Sequence, residues 1–206
     1  MAAVKIYGTS GSRALRSLWM AEELKREAGF EYELVPTHFM KDAKQPAYLA
    51  INPNGRVPAM DDNGFILFES LAINLYLAKQ YGRELAPRTV HEEALAIQWS
   101  MWALTELEDS IIALVVRHPK IAMMPPDEKL EGEARAKLDR PLKVLELHMA
   151  EQRYMLGERF TVADVNVAGV LSLSAFAEVD LSPYPNVKTW FDASLARPSF
   201  AAARAR

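Results

Sequence analysis

The sequence predicts an α/β domain followed by an all-helical domain. Three observations carry this: a strand, loop, helix and strand in succession between Val4 and Val35, a pair of brief strands around Asp62-Asn63-Gly64, and the lack of any comparable strand signal beyond Pro87. Val4 to Tyr7 reads as a short buried strand, and GTSGS follows as a loop. Leu15, Leu18, Trp19 and Leu24 then recur at helical spacing through RALRSLWMAEEL. Tyr32, Leu34 and the β-branched Val35 give a second strand, so the first helix is a crossover between parallel strands, right-handed by the usual rule. Ala59 to Asp61 and Phe65 to Phe68 are the next strands, joined by Asp62-Asn63-Gly64, a turn signal of the hairpin type. SLAINLYLAKQYG is a helix ended by Gly82.

Beyond Pro87 the pattern is helical. His91 to Arg117 forms one long stretch stopped by His118-Pro119, and Asp127 to Gln152 another, which Pro141 should kink or divide. In TVADVNVAG, Thr161 and Asp164 stand at capping-box spacing, and Tyr184 to Leu195 is a further helix before Arg197-Pro198. The expected boundaries are residues 1–82 for the α/β domain, 83–89 for a linker and 90–206 for the helical domain.

Composition narrows the function classes. Of the 206 residues half are hydrophobic and 25% charged, the balance of a globular protein with a real core, and a net charge of -3 gives no polyanion-binding signature. Nucleic acid is therefore not an expected partner. MAAVKIYG lacks a basic segment followed by an apolar run, and no stretch approaches the roughly 18 apolar residues of a membrane span, so a cytoplasmic location without membrane attachment is expected. With no cysteine in the chain, disulfides, thiolate metal sites and a catalytic cysteine of its own are excluded, although a thiol on a substrate is not.

NPNGRVPAM, Asn52 to Met60, concentrates rigid backbone just before a very short strand. Either Pro58 is a plain loop proline, or a cis Val57-Pro58 bond turns the Val57 main chain outward as an edge with which an extended peptide can pair. Glu69-Ser70 then opens a helix whose free amides favour a carboxylate, while the Glu69 side chain suits an ammonium. A ligand carrying α-amino and α-carboxylate groups fits both.

NPNGRVPA followed by FESLAI, with the start YGTSGSRALR and the later TVAD, resembles a cytosolic glutathione S-transferase, bacterial, serine-type and phi/theta-like, over essentially the whole chain. The resemblance implies a thioredoxin-like N-terminal domain that binds glutathione, an all-α C-terminal domain that helps bind the second substrate, and a homodimer. It implies that Val57 and Pro58 meet the cysteinyl part of glutathione and that Glu69 and Ser70 hold its γ-glutamyl end. Glutathione would be a co-substrate, with no tightly bound cofactor and no metal. Lys44, with Gln45 and His38 in the same segment, is a candidate for the glycyl carboxylate, or a solvated surface lysine. Arg56 is a further candidate contact, or an exposed loop charge. Thr161 and Asp164 resemble the family's folding cap and are assigned to stability. Trp99, Met101, Trp102, Thr105 and Glu106 lie where the family shapes its electrophile pocket, but an aromatic stripe at helical spacing is more often core, and none is named as a site.

Such an enzyme must supply a thiolate at neutral pH, whereas a free thiol has a pKa near 8.5. Lowering it by about 2 units takes roughly 2.7 kcal/mol, within reach of one charge-assisted hydroxyl hydrogen bond aided by a helix N-terminus. Set without a gap on the plant phi-class pattern, Gly8 and Arg16 coincide and Ser12 takes the catalytic place. Ser12 as a mere helix cap remains open, with Ser10 and Thr9 as alternative donors, because Ser10 stands where that pattern has proline. Tyr7 falls within the strand pattern and reads as core, and the missing cysteine argues against the beta and omega types. The expected activity is conjugation of glutathione to a hydrophobic electrophile. The alternatives are glutathione-dependent peroxidase or disulfide-reductase chemistry at the same site, or a non-catalytic glutathione-binding protein built on the fold.

Overall fold

The structure, a computed structural model, describes residues 4–206. It divides into two compact units, one made of the chain up to Arg88 together with Ala196–Arg206, the other of Thr89–Leu195.

The first unit is built on a four-stranded sheet in the order β2-β1-β3-β4, with β1 at Val4–Gly8, β2 at Tyr32–Pro36, β3 at Ala59–Asp62 and β4 at Phe65–Phe68. β1 and β2 run parallel from Val4 opposite Tyr32 to Gly8 opposite Pro36, as a crossover through helix α1 (Ala14–Ala28) requires. β3 lies antiparallel to β1, with Met60 opposite Ile6, and β4 antiparallel to β3, with Ala59 opposite Phe68. The turn between them has positive φ at Asn63 (52°) and Gly64 (93°), as a tight hairpin demands, and the Gly64 amide donates to Asp61 Oδ1 at 2.7 Å. A 3-10 turn at Asp42–Lys44 and the short helix α2 (Pro46–Leu49) lead into the Asn52–Pro58 segment, and α3 (Ser70–Tyr81) ends at Gly82. The strands and helices expected here are present, with ends that differ by a residue or two except at α1, which continues four residues past the Leu24 of the expected stretch. The turn at 42–44 and α2 have no counterpart in the sequence reading, since each is too short to show a period.

The last eleven residues depart from the expected helical domain to the C-terminus. Helix α9 (Pro198–Arg204) packs on α1 and belongs to the first unit. Helix α1 is buried from Ala14 to Leu24, including two adjacent glutamates that cannot remain unpaired there. Glu23 takes the Arg197 guanidinium as a fork, at 2.6 and 2.7 Å, together with the Trp19 indole N–H at 3.0 Å and the Ser199 hydroxyl. Glu22 accepts from the Tyr32 hydroxyl at 2.7 Å and from the Arg206 guanidinium. Edge-on packing of Phe200 against Trp19, 4.8 Å between ring centres, fills the apolar part of the contact. Partners more than 170 positions apart in the chain leave no local sign of themselves.

The second unit begins with α4 (Val90–Trp102), whose first turn is capped by Thr89 accepting from the Glu92 amide. The helix continues through a π-helical turn at Ala103–Glu108 into α5 (Asp109–Val115), so the expected long stretch is helical but widened at its centre. Helix α6 (Glu128–Glu151) is capped by Asp127, and Pro141 lies inside it without ending it. Helices α7 (Val162–Leu171) and α8 (Pro185–Leu195) complete the unit. Every residue of α7 is buried, and its entry is the capping box expected from Thr161 and Asp164. The Asp164 carboxyl, fully buried, accepts from the amides of Met155 and Thr161 and from the Trp190 indole at 2.9 Å each, and from the Thr161 hydroxyl at 3.1 Å. Burial pushes this carboxyl up to about 6, and the four donors hold it from going higher.

Asp164→Ala strips three buried N–H groups of their acceptor. At about 1–3 kcal/mol for each unsatisfied donor, the variant is expected to lose at least about 3 kcal/mol of stability in urea titrations. A loss below about 1 kcal/mol would show that the cap is dispensable.

Candidate functional site

The loop leaving β1 sets one wall. Gly8 has φ of 151°, and a Cβ there would lie 2.3 Å from that of Ala14, so any side chain would push the start of α1 away from the strand. The same position is 3.7 Å from Val57 Cβ, which brings the loop and the Asn52–Pro58 segment together. Within the loop, Thr9 O accepts from the Ser12 amide at 3.1 Å and from the Ser12 hydroxyl at 2.8 Å, and Ser12 Oγ accepts from the Ala14 amide at 3.2 Å. Ser12, half-buried at the entrance to α1, thus bonds locally as a helix-entry residue does. Ser10 donates to the main-chain oxygen of Arg206 at 2.7 Å, while the Thr9 hydroxyl has no hydrogen-bond partner among the described residues.

The second wall is the Asn52–Pro58 segment, whose Val57-Pro58 bond is cis. Asn52, buried, is its organiser. The Asn52 amide nitrogen donates to Arg56 O at 2.7 Å, its side-chain oxygen accepts from the Asn54 amide at 3.1 Å, and its main-chain oxygen accepts from the Gly55 amide at 2.9 Å. The Tyr48 hydroxyl donates to the same Arg56 oxygen at 2.7 Å, and burial pushes that phenol up to about 12, which keeps its proton in place. Gly55, at φ of 60°, fits against Ala43 O and Leu49 where a Cβ would lie about as close as contact allows. Val57 and Ala59 pack with Ala43 and Tyr48, flanked by Tyr7, Phe39, Ile51 and Phe68. No hydrogen bond among the described residues engages the Val57 main chain, which leaves its donor and acceptor available to a peptide-like partner.

The third wall is the start of α3. Glu69 stands at φ of 73° and ψ of 112°, outside the regions where a side chain rests comfortably, with its carboxylate exposed and not used to cap the helix. Ser70 is buried; its oxygen accepts from the Arg16 guanidinium at 3.4 Å, and its carbonyl from the Ser17 hydroxyl at 3.3 Å. The Asn74 amide closes the seam on Arg16 O at 3.2 Å.

The structure thus brings Gly8–Ser12, Val57–Pro58 and Glu69–Ser70 to one region through Gly8 against Val57 and Arg16 against Ser70. Lys44 reaches the Gly55 carbonyl at 2.6 Å from an exposed position, and Arg56 is exposed. Asn52, Tyr48 and Arg16 were not singled out as site residues; of these, only the Asn-Pro-Asn-Gly run carried a turn signal that points to Asn52. In the second unit, Trp99 is buried against Trp102 and His148, whereas Met101 is 61% exposed. No group of three metal-ligating side chains occurs among the described residues.

Residues 2–79 match the description "Glutathione S-transferase, N-terminal domain" and residues 109–198 the description "Glutathione S-transferase, C-terminal domain". The chain belongs to the glutathione S-transferase family. It is similar to a probable glutathione S-transferase of Oryza sativa subsp. japonica, 36% identical over 97% of this chain and 94% of the relative. Glutathione S-transferase 3 of Zea mays is 34% identical over 97% and 92%. Among solved structures, glutathione S-transferase-I bound with lactoylglutathione superposes with a TM-score of 0.83 at 32% identity, covering 99% of both chains. A theta class enzyme of Xanthomonas axonopodis pv. citri with glutathione bound gives 0.87 at 26%, over 100% and 99%. The fold is that of this transferase family, a thioredoxin-like domain with an all-α domain, and the protein is an enzyme of the glutathione transferase type.

A glycine at position 69 would adopt the observed backbone at little cost. Glu69→Gly is expected to stabilise the protein by about 0.5–1 kcal/mol in chemical denaturation, the strain being held for a reason other than stability. An unchanged or lower stability would mean that the backbone there is unstrained.

Proposed function

We propose that this transferase conjugates the thiolate of glutathione to a hydrophobic electrophile, with Ser12 as the hydroxyl that stabilises the thiolate. The observation that carries the reading is the juxtaposition of three groups: the Ser12 loop at the start of α1, the unengaged Val57 main chain, and Glu69-Ser70 at the start of α3. Glutathione would lie extended, its cysteinyl amide paired with Val57, its α-ammonium on Glu69, and its α-carboxylate on Ser70 and the first amides of α3. Arg56 and Lys44 would face the glycyl end, Lys44 with the two ammonium protons that Gly55 does not take. The thiol would lie by the Ser12 loop. There its anion gains the Ser12 hydrogen bond, in competition with Thr9 O, and the favourable end of a fifteen-residue helix. The thiolate then attacks the electrophilic carbon, a carbon–sulfur bond forms, and the leaving group departs with its electron pair.

Conjugation is supported over peroxidase or reductase chemistry by the solved relatives, one of which, glutathione S-transferase I from maize, is complexed with an atrazine glutathione conjugate and is 32% identical over 99% of this chain and 97% of its own. A homodimer is part of the reading. Phe65 and Ile66 on β4, and Leu95, Ile97 and Met101 on α4, are exposed apolar side chains of the kind an isologous interface covers. No helix among the described residues is long and apolar enough to cross a membrane, consistent with the cytoplasmic location we infer.

Titration of the thiolate absorbance of bound glutathione tests the Ser12 assignment: Ser12→Ala should raise the midpoint by about 1–2 units, equivalent to roughly 1.4–2.7 kcal/mol. A midpoint that moves in Thr9→Ala instead would transfer the role to Thr9. The Glu69→Gly variant described above should bind glutathione at least about tenfold more weakly by calorimetry, a change of about 1.4 kcal/mol. Light scattering should give twice the chain mass at micromolar concentration; a monomer would remove the dimer from this reading.

A further inference from the structure

The strap of the first unit that follows α8 reaches the loop that carries the candidate thiol-activating hydroxyl. The Ser10 hydroxyl, with one proton to give, gives it to the main-chain oxygen of Arg206 at 2.7 Å. Arg206 does not hang free. Its guanidinium is held on Glu22 through Nε at 2.8 Å and through Nη2, and lies 5.5 Å from the centre of the Tyr32 ring. Tyr32 in turn donates to the same Glu22 oxygen at 2.7 Å. One residue therefore spans from the middle of α1, by its side chain, to the loop in front of α1, by its main chain. The strap that delivers it is fixed at its other end by the Arg197–Glu23 fork.

We propose that the strap Arg197–Arg206 positions the thiol-activating loop, with Ser10 as the latch and Arg206 as the positioning residue that holds it. The proposal rests on the placement of the thiolate donor in the Thr9–Ser12 loop. Two physical consequences follow from the geometry. Ser10, whose proton is taken by Arg206, is withdrawn from competition for the thiolate. The loop two residues before Ser12 is tied to a rigid, buried helix, so the Ser12 oxygen keeps its place relative to the bound sulfur at no ordering cost during turnover. Among the described residues the loop is otherwise held by the Ser12 bonds to Thr9, Ala14 and Leu15 and by the Thr37 amide on Gly8 O, and none of these engages Ser10 or Gly11.

The experiment uses the full chain with Ser10→Ala, Arg206→Ala, Arg206→Lys and the Ser10→Ala/Arg206→Ala pair. The midpoint of bound-glutathione thiolate titration is read beside KM, kcat and thermal stability. Ser10→Ala and Arg206→Ala should each raise the midpoint by about 0.3–1 unit, a two- to tenfold loss of thiolate below the midpoint. The paired variant should go no further than the larger single change, because both break one connection. Arg206→Lys, which keeps the charge on Glu22, should fall between wild type and Arg206→Ala, and KM for glutathione should change less than twofold throughout. Reduced stability with an unmoved midpoint would make the strap purely structural and overturn the proposal. So would a midpoint shift in Ser10→Ala alone, or shifts that add in the paired variant. A wild-type midpoint at the free-thiol value would instead remove the reading of the site, and amide exchange then decides the latch by itself. Faster exchange at the hydrogen-bonded Ser12 and Leu15 amides in Arg206→Ala supports it, and unchanged exchange there overturns it.

Discussion

Helix α1 is buried along three consecutive turns, and the rest of the first unit is arranged to make that possible. Leu15, Leu18, Trp19, Met20 and Leu24 are within its buried stretch, and each large apolar side chain removed from water contributes about 1.5–3 kcal/mol of hydrophobic stabilisation. The same burial encloses Arg16, Glu22 and Glu23, each of which would cost several kcal/mol if it lacked a partner. Partners are provided on two sides: Ser70 lies against Arg16, and Arg197 and Arg206 cover the glutamates. The demand of these buried groups for partners thus ties α1 to the start of α3 through a hydroxyl and to the C-terminal strap through ion pairs.

The site uses this rigid frame mostly through main-chain atoms. Asn52 and Tyr48 converge on one carbonyl, that of Arg56, and so determine how the following residue presents its peptide groups. Glu69 is exposed, at positive φ, and its carboxylate does not cap the helix it precedes. Such an arrangement suits a ligand that is itself a small peptide, since peptide groups recognise peptide groups without a pocket shaped for any one side chain. The second unit, by contrast, is held by a buried carboxyl with four donors, by the buried Asn166 amide donating to the Ser100 hydroxyl at 2.8 Å, and by helices capped with Thr89, Asp127 and Thr161. The π-helical turn between α4 and α5 is the one long-helix irregularity among its described residues.

The sequence by itself determined whatever depends on neighbours in the chain. The parallel pair around α1 follows from apolar periodicity, the β3–β4 hairpin from Asp62-Asn63-Gly64, and the α7 cap from Thr161 and Asp164 three positions apart. The cis Val57-Pro58 bond was among the readings open from sequence, since an X-Pro bond is local, whereas the positive φ of Glu69 runs against the preference of a residue with a side chain and no local pattern announces it. The tertiary structure alone decided the bond partners of the Ser10 and Ser12 hydroxyls, because a hydroxyl rotor takes whichever acceptor the fold brings near. It decided that Tyr48 and Asn52 share one carbonyl, and that the last helix belongs with the first strands. Ionic and aromatic contacts such as Arg197 with Glu23 or Phe200 with Trp19 join residues separated by most of the chain, and pairing at that distance is set by packing geometry, which no local pattern of residues encodes.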